Sequence, residues 1–251
     1  MIMPQQKQFK VLLIGDSCTD EYVYGTCDRL NPEAPVPILH FNRKETNKGM
    51  AWNVRENLMS FGIEVCILTN EEPITKTRYI DERSNQHILR LDDESPLKPM
   101  EYEIPDEDFD ALIISDYDKG FLTTQKICEL VSEFEGPVFL DSKKRVLPSQ
   151  GCFIKINETE KGLLTGDYNN LIVTKGSGGA DYDGVNYPAE KTKVYDVVGA
   201  GDTFLAALVY FHLLYGRIDR SIPYANKAAS IAVQNFGTYV LTEEDVQDLR
   251  D

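Results

Sequence analysis

The chain is 251 residues long, 42% apolar and 27% charged, enough apolar material to offset the entropy of folding, which excludes a disordered chain. Its 41 acidic against 26 basic side chains leave a formal charge of −15, which excludes broad nucleic-acid binding and an anionic membrane surface as partners. An anionic small molecule remains within reach, provided local cations and backbone N–H groups receive it.

At the N-terminus, Met1 to Lys10 is polar and lacks the apolar core of a signal peptide. Val11-Leu12-Leu13-Ile14, ended by Gly15-Asp16, then reads as a buried parallel strand with polar groups at its carboxyl end. Ala34 to Phe41 is an extended, proline-bearing segment suited to an edge strand. Ala51, Val54, Leu58 and Phe61 recur at helical spacing, and Val65 to Leu68 is a second strand run. Thr77 to Ile80 and His87 to Leu91 flank the polar turn Asp81 to Asn85 and read as a hairpin. With the extended segment it makes a small lid sheet, over about 34–42 and 75–92.

Further strand runs follow at Ala111 to Ile114, Val138 to Leu140 and Leu171 to Val173, with a helical pattern at Ile127, Leu130, Val131 and Phe134 between them. Alternating strands and helices predict an α/β fold with a mostly parallel sheet flanked by helices, in one domain over residues 1–251. Ligands in such folds lie beyond the carboxyl ends of the strands, where Asp16, Asp116, Asp141 and Lys175 fall.

Five scattered cysteines without a Cys-x-x-Cys pair exclude a disulfide framework, and three distant histidines give no metal spacing. The longest apolar run, Phe204 to Tyr215, is too short to span a bilayer. The Asn157-Glu158-Thr159 sequon reads as chance without a secretion signal. The expectation is a cytoplasmic protein.

The most informative stretch is Asp196 to Thr203, which opens a helix apolar on nearly every face and therefore buried. Gly199, Ala200 and Gly201 let the helix N-terminus approach an anion, which its dipole favours. Asp202 stands where a carboxylate could take a proton from an attacking hydroxyl, work worth about 10²–10⁴ in rate. The alternative is a helix cap worth about 1 kcal/mol.

Asp196-Val197-Val198-Gly199-Ala200-Gly201-Asp202-Thr203-Phe204 resembles the signature of the ribokinase-like (PfkB) carbohydrate kinases. Gly15-Asp16, Asp20 to Gly25, Arg29 to Pro37, Thr75 to Arg78, Gln86 to Asp92 and Ser115 to Gly120 resemble the subgroup acting on heptose 7-phosphates. The resemblance runs from about Val11 to Thr238. It implies a three-layer ribokinase-like fold and ATP- and Mg²⁺-dependent phosphotransfer to a sugar or sugar phosphate. Asp202 would be the base, with Gly199, Ala200 and Gly201 as the anion hole. Asp16, Gly49 and Asn53 would meet the sugar and Lys143 a substrate phosphate. Asn157, Thr174, Lys175, Gly176 and Asn226, with Gly199 and Gly201, would meet the nucleotide, and Glu160 the metal. Asn157 and Glu160 equally fit a plain capping box. A homodimer through the segment around Pro35 to Phe41 is implied as well.

The chain departs from the family in three ways. Gly49-Met50-Ala51-Trp52-Asn53 carries bulk where small residues are usual, so either the sugar pocket is altered or these side chains enter the core. A strand-helix-strand excursion is missing after Asn70, and a helical segment is missing before Leu171. A trimmed sugar-phosphate or nucleotide-binding protein without turnover is therefore the competing reading. A dinucleotide oxidoreductase or P-loop enzyme is disfavoured, because neither glycine fingerprint is present.

Overall fold

A computed structural model describes residues 8–101 and 103–250; the N-terminal stretch from Met1 to Lys7 lies outside them. The first apolar run is β1 (Lys10–Gly15), buried from Val11 onward. The chain leaves the main sheet for β2 (Ser17–Leu30) and β3 (Pro37–Met50), then returns through α1 (Ala51–Ser60) to β4 (Glu64–Thr69). It leaves again for the hairpin β5 (Ile74–Asp81) and β6 (Gln86–Glu94). Strand and helix then alternate through β7 (Ala111–Asp116), α2 (Thr124–Glu133), β8 (Val138–Ser142), β9 (Phe153–Asn157), the short α3 (Glu158–Lys161) and β10 (Leu171–Thr174). The antiparallel pair β11 (Ala180–Tyr182) and β12 (Val185–Tyr187) precedes α4 (Ala200–Tyr215), α5 (Ile218–Ala232) and α6 (Glu243–Arg250).

The larger sheet has the order β12-β11-β10-β9-β8-β7-β1-β4, parallel from β10 to β4. After β1 the chain adds β4 on one side and β7 on the other. The order therefore reverses between β1 and β7, and the crevice outside their carboxyl ends is where such sheets take ligands.

One face of the sheet packs on α1, α4, α5 and α6, with Leu205 to Val209 of α4 fully buried. The other face has α2 as its one long helix among the described residues, through Ile127, Leu130 and Val131. Non-helical segments complete that layer with Leu97, Met100, Leu147, Leu164 and Tyr168.

A second sheet, ordered β3-β2-β5-β6, stands beside the first. It takes in more chain than the segments 34–42 and 75–92. Ser17 to Leu30 forms its longest central strand, while β3 starts at Pro37 and continues to Met50. The buried positions of β2 alternate as Cys18, Asp20, Tyr22 and Tyr24. That period-two pattern is not apolar, which is why a search for apolar alternation passes over it.

Candidate active site

Gly15 brings β1 and β7 close together, since a Cβ there would fall 2.0 Å from the Ser115 carbonyl oxygen. The next residue, Asp16, is fully buried at the switch point. Its Oδ2 accepts the backbone N–H of Tyr117 at 2.6 Å and of Lys119 at 3.3 Å, while Oδ1 is buried with no partner. Burial, helped by the charge of Asp116, pushes the Asp16 carboxyl up to about 6.

Helix α4 starts at the same crevice. Gly199 caps it in the left-handed region at φ 78°, where a Cβ would also fall 2.7 Å from the Asn53 side-chain nitrogen. The Asp202 and Thr203 N–H groups both turn back to the Gly199 carbonyl, leaving the Gly201 N–H without a backbone partner among the described residues. Asp202 is buried in the first turn but does not cap the helix. Its Oδ2 accepts from Asn53 at 2.9 Å and its Oδ1 from the Tyr117 hydroxyl at 2.7 Å. Burial holds the Asp202 carboxyl above the usual range, against the pull of those two bonds and of Lys155.

Lys155 comes from the middle of β9, 6% exposed, with its ammonium 2.6 Å from Asp141 on the neighbouring β8. Burial pulls its pKa down, but the attraction of Asp141 outweighs that and the lysine stands above its ordinary value. A Cβ on Gly201 would fall 2.9 Å from this ammonium. The glycine thus admits a buried cation to the mouth of the helix.

Asp202, Lys155, Asp141, Tyr117 and the glycines of the turn share a cavity of about 270 Å³, whose lining does not include Asp16 or Asn53. Of the residues expected from sequence, Gly199, Gly201, Asp202, Lys143, Asn157 and Glu160 line it. Tyr117, Asp141, Lys155 and Val197 line it as well. A larger recess of about 500 Å³, between Tyr168 to Leu171 and Tyr182 to Asp183, lies at the far end of β10 and holds neither the proposed base nor a cation. The smaller cavity is the candidate site, because the reactive groups converge there.

Several expected residues sit elsewhere. The space beside Gly49 is filled by Asp20, whose carboxylate would lie 2.0 Å from a Cβ there, so that glycine makes room for a buried Asp20–Arg78 pair. Asn53 is occupied by Asp202. Thr174 donates to the Ile156 carbonyl, Lys175 pairs with Asp181, and Gly176 opens a 3₁₀ turn to Gly178. Asn226 is buried and donates to the Tyr187 carbonyl at 2.8 Å. Ala200 begins the helix beside the cavity. Asn157 and Glu160 do form a full capping box at 2.9 and 2.8 Å, while both still line the cavity. Met50 is buried in the core. Trp52 takes neither expected place: it is half-buried under Lys48 and Arg55, whose charged groups lie 3.9 and 5.2 Å from its ring.

Sequence reading missed Lys155 and the bond of Tyr117 to Asp202. Lysine between Ile154 and Ile156 within a strand was the available signal, since a charge there is buried only with a partner. Tyr117 carried none, because its bond to Asp202 spans 85 positions.

Residues 154–245 match the pattern of the pfkB family of carbohydrate kinases. The chain is 29% identical to the bifunctional protein HldE of a Nitratiruptor species, covering 95% of this chain and 64% of that one. It is 30% identical to HldE of Helicobacter acinonychis, covering 94% and 65%. The chain thus spans slightly less than two thirds of these relatives. Among solved structures, a ribokinase from Thermotoga maritima matches with a TM-score of 0.74 at 15% identity, covering 96% of this chain and 99% of the ribokinase. Arabidopsis thaliana ribokinase, solved with ribose and ATP, matches at 0.71 and 16%, covering 97% and 99%. At that identity the structural likeness establishes the ribokinase-like fold.

Proposed function

We propose that this chain, whose residues 154–245 match the pfkB family of carbohydrate kinases, transfers the γ-phosphoryl group of ATP to a hydroxyl of a sugar phosphate of the heptose 7-phosphate type. The observation that carries this reading is Asp202 buried at the mouth of α4, in one cavity with Lys155 and the Gly199–Gly201 turn. Asp202 takes the acceptor proton as the hydroxyl oxygen attacks phosphorus and the bond to ADP breaks. The helix N-terminus and Lys155 stabilise the charge on the transferring group, in a setting where water weakens them little.

On the acceptor side, the unpartnered Oδ1 of Asp16 supports a role in holding a sugar hydroxyl. Lys143, 4.2 Å from the Tyr117 ring on the cavity wall, is proposed to meet the substrate phosphate. On the nucleotide side, Thr174, Lys175 and Gly176 form the approach, and Asn226 fixes the strand end behind it. Mg²⁺ binds through few carboxylates and many waters and phosphates, and the one oxygen of Glu160 outside the capping box fits that need. When bound it neutralises the phosphate charge. A cytoplasmic setting, where ATP is at hand, belongs to the same proposal.

The test is ADP release with ATP, Mg²⁺ and a panel of heptose and hexose phosphates, for the wild type and Asp202→Asn. A loss of about 10²–10⁴ in kcat is expected for the variant. Equal turnover in both would remove Asp202 from the role of base. Nucleotide binding without turnover of any acceptor would leave a binding protein instead.

A further inference from the structure

Tyr117 joins the two carboxylates of the site. It gives its backbone N–H to Asp16 and its phenol O–H to Asp202 Oδ1, while Asn53 holds Oδ2. Both oxygens of Asp202 therefore carry a donor before any acceptor arrives. Two ammonium groups stand near the Tyr117 ring, Lys143 at 4.2 Å and Lys76 at 5.6 Å from its centroid, and help hold it in place. Lys76 is itself buried in the second sheet, so the ring is fixed from the lid as well as from the main sheet.

A water molecule at Asp202 Oδ1 would be as well placed to attack phosphorus as a sugar hydroxyl. Its oxygen would bond to the γ-phosphorus, the bond to ADP would break, and its proton would pass to Asp202, giving ADP and inorganic phosphate. The phenol oxygen fills that place. We infer that Tyr117 is a positioning residue that reserves Asp202 for the acceptor, holding Oδ1 against water until a sugar hydroxyl anchored at Asp16 displaces the phenol.

Displacement exchanges one hydrogen bond to Asp202 for another, a nearly even trade. A sugar drives it with binding energy from its remaining groups, which a water molecule lacks. The bond of the Tyr117 backbone N–H to Asp16 ties the sugar's anchor to the residue that carries the phenol. The inference rests on the kinase reading proposed above.

Tyr117→Phe keeps the ring and removes one oxygen, opening room for about one water against the carboxylate. Acceptor-independent ADP release is expected to rise about tenfold or more, a barrier change of about 1.4 kcal/mol. Adding Asp202→Asn to the same variant should abolish the rise. A merely structural role lowers every rate, so release at or below the wild-type level in folded Tyr117→Phe overturns the inference. Should that variant fail to fold, wild-type protein labelled with ¹³C at tyrosine Cζ carries the test. The Tyr117 resonance is expected to shift when acceptor is added without nucleotide, and an unmoved resonance overturns the inference. A wild type with no acceptor-dependent ADP release overturns the kinase reading itself.

Discussion

Asp202 and Asp16 are both buried carboxylates, yet the structure treats them differently. Asp202 has donors on both oxygens, whereas Asp16 leaves Oδ1 bare and is pushed up to about 6. A carboxyl raised on folding binds its proton more tightly folded than unfolded, so its contribution to stability is lost as pH rises from about 4 to about 6. The shift from 3.8 to about 6 corresponds to about 3 kcal/mol. Asp16→Asn should remove that slope, narrowing the fall in unfolding free energy between pH 4 and 7 relative to the wild type. Urea titrations across that range measure it, and parallel curves for the two proteins would refute the assignment. Stability given up at Asp16 is consistent with a residue kept for its ligand. Neither the pairing of Lys155 with Asp141 nor that of Tyr117 with Asp202 is local in sequence, which is why residue types alone singled out Asp202 but not these neighbours.

At the scale of elements, the junction of β3 and α1 holds an unusual residue. Met50 sits at φ 58° and ψ −128°, a region that suits glycine, while its side chain is buried in the core. Strain of this kind is worth about 1–3 kcal/mol, and burial of the methionine offsets it. Truncation to alanine keeps the strain and loses the packing, costing about 2–5 kcal/mol. Met50→Gly loses the same packing but releases the backbone. The glycine variant should therefore be the more stable of the two, reversing the usual order at a helix start. Thermal unfolding of both would decide it, and a lower Tm for glycine would remove strain from the account. Of the two readings of this position, an altered sugar pocket or a side chain in the core, Met50 takes the second, and the backbone bears the consequence. The strand runs at β1, β4, β7, β8 and β10 were legible because each is apolar and ends in a polar turn. β2 was not, since its buried face carries Asp20 and two tyrosines held by partners from β3 and β5.

For the whole molecule, the second sheet presents a broad outer face. The register of β2 with β3 and β5, and of β5 with β6, puts Phe41, Val23, Tyr79, Leu89 and Leu91 on the same side. Phe41 is 67% exposed, Leu89 59% and Leu91 53%. Three exposed apolar side chains on one face of a small sheet favour a partner. We propose that a second copy covers that face, in line with the dimer expected from sequence. Light scattering should give twice the chain mass, and Phe41→Asp should shift it toward the monomer. A monomeric wild type at assay concentration would end this proposal.

The charge of −15 belongs to the chain as a whole, while the cavity gathers Lys143 and Lys155 around a helix N-terminus. By itself the sequence determined the α/β alternation, the buried α4 and the glycine turn before Asp202, because each is written in neighbouring residues as apolar runs, helical spacing or backbone freedom. Only the tertiary structure decided that Gly49 makes room for Asp20, that Lys155 reaches Gly201, and that Tyr117 closes on Asp202. Those contacts join residues from different strands and helices. They exist only once the sheet order reverses between β1 and β7 and brings the strand ends to one crevice.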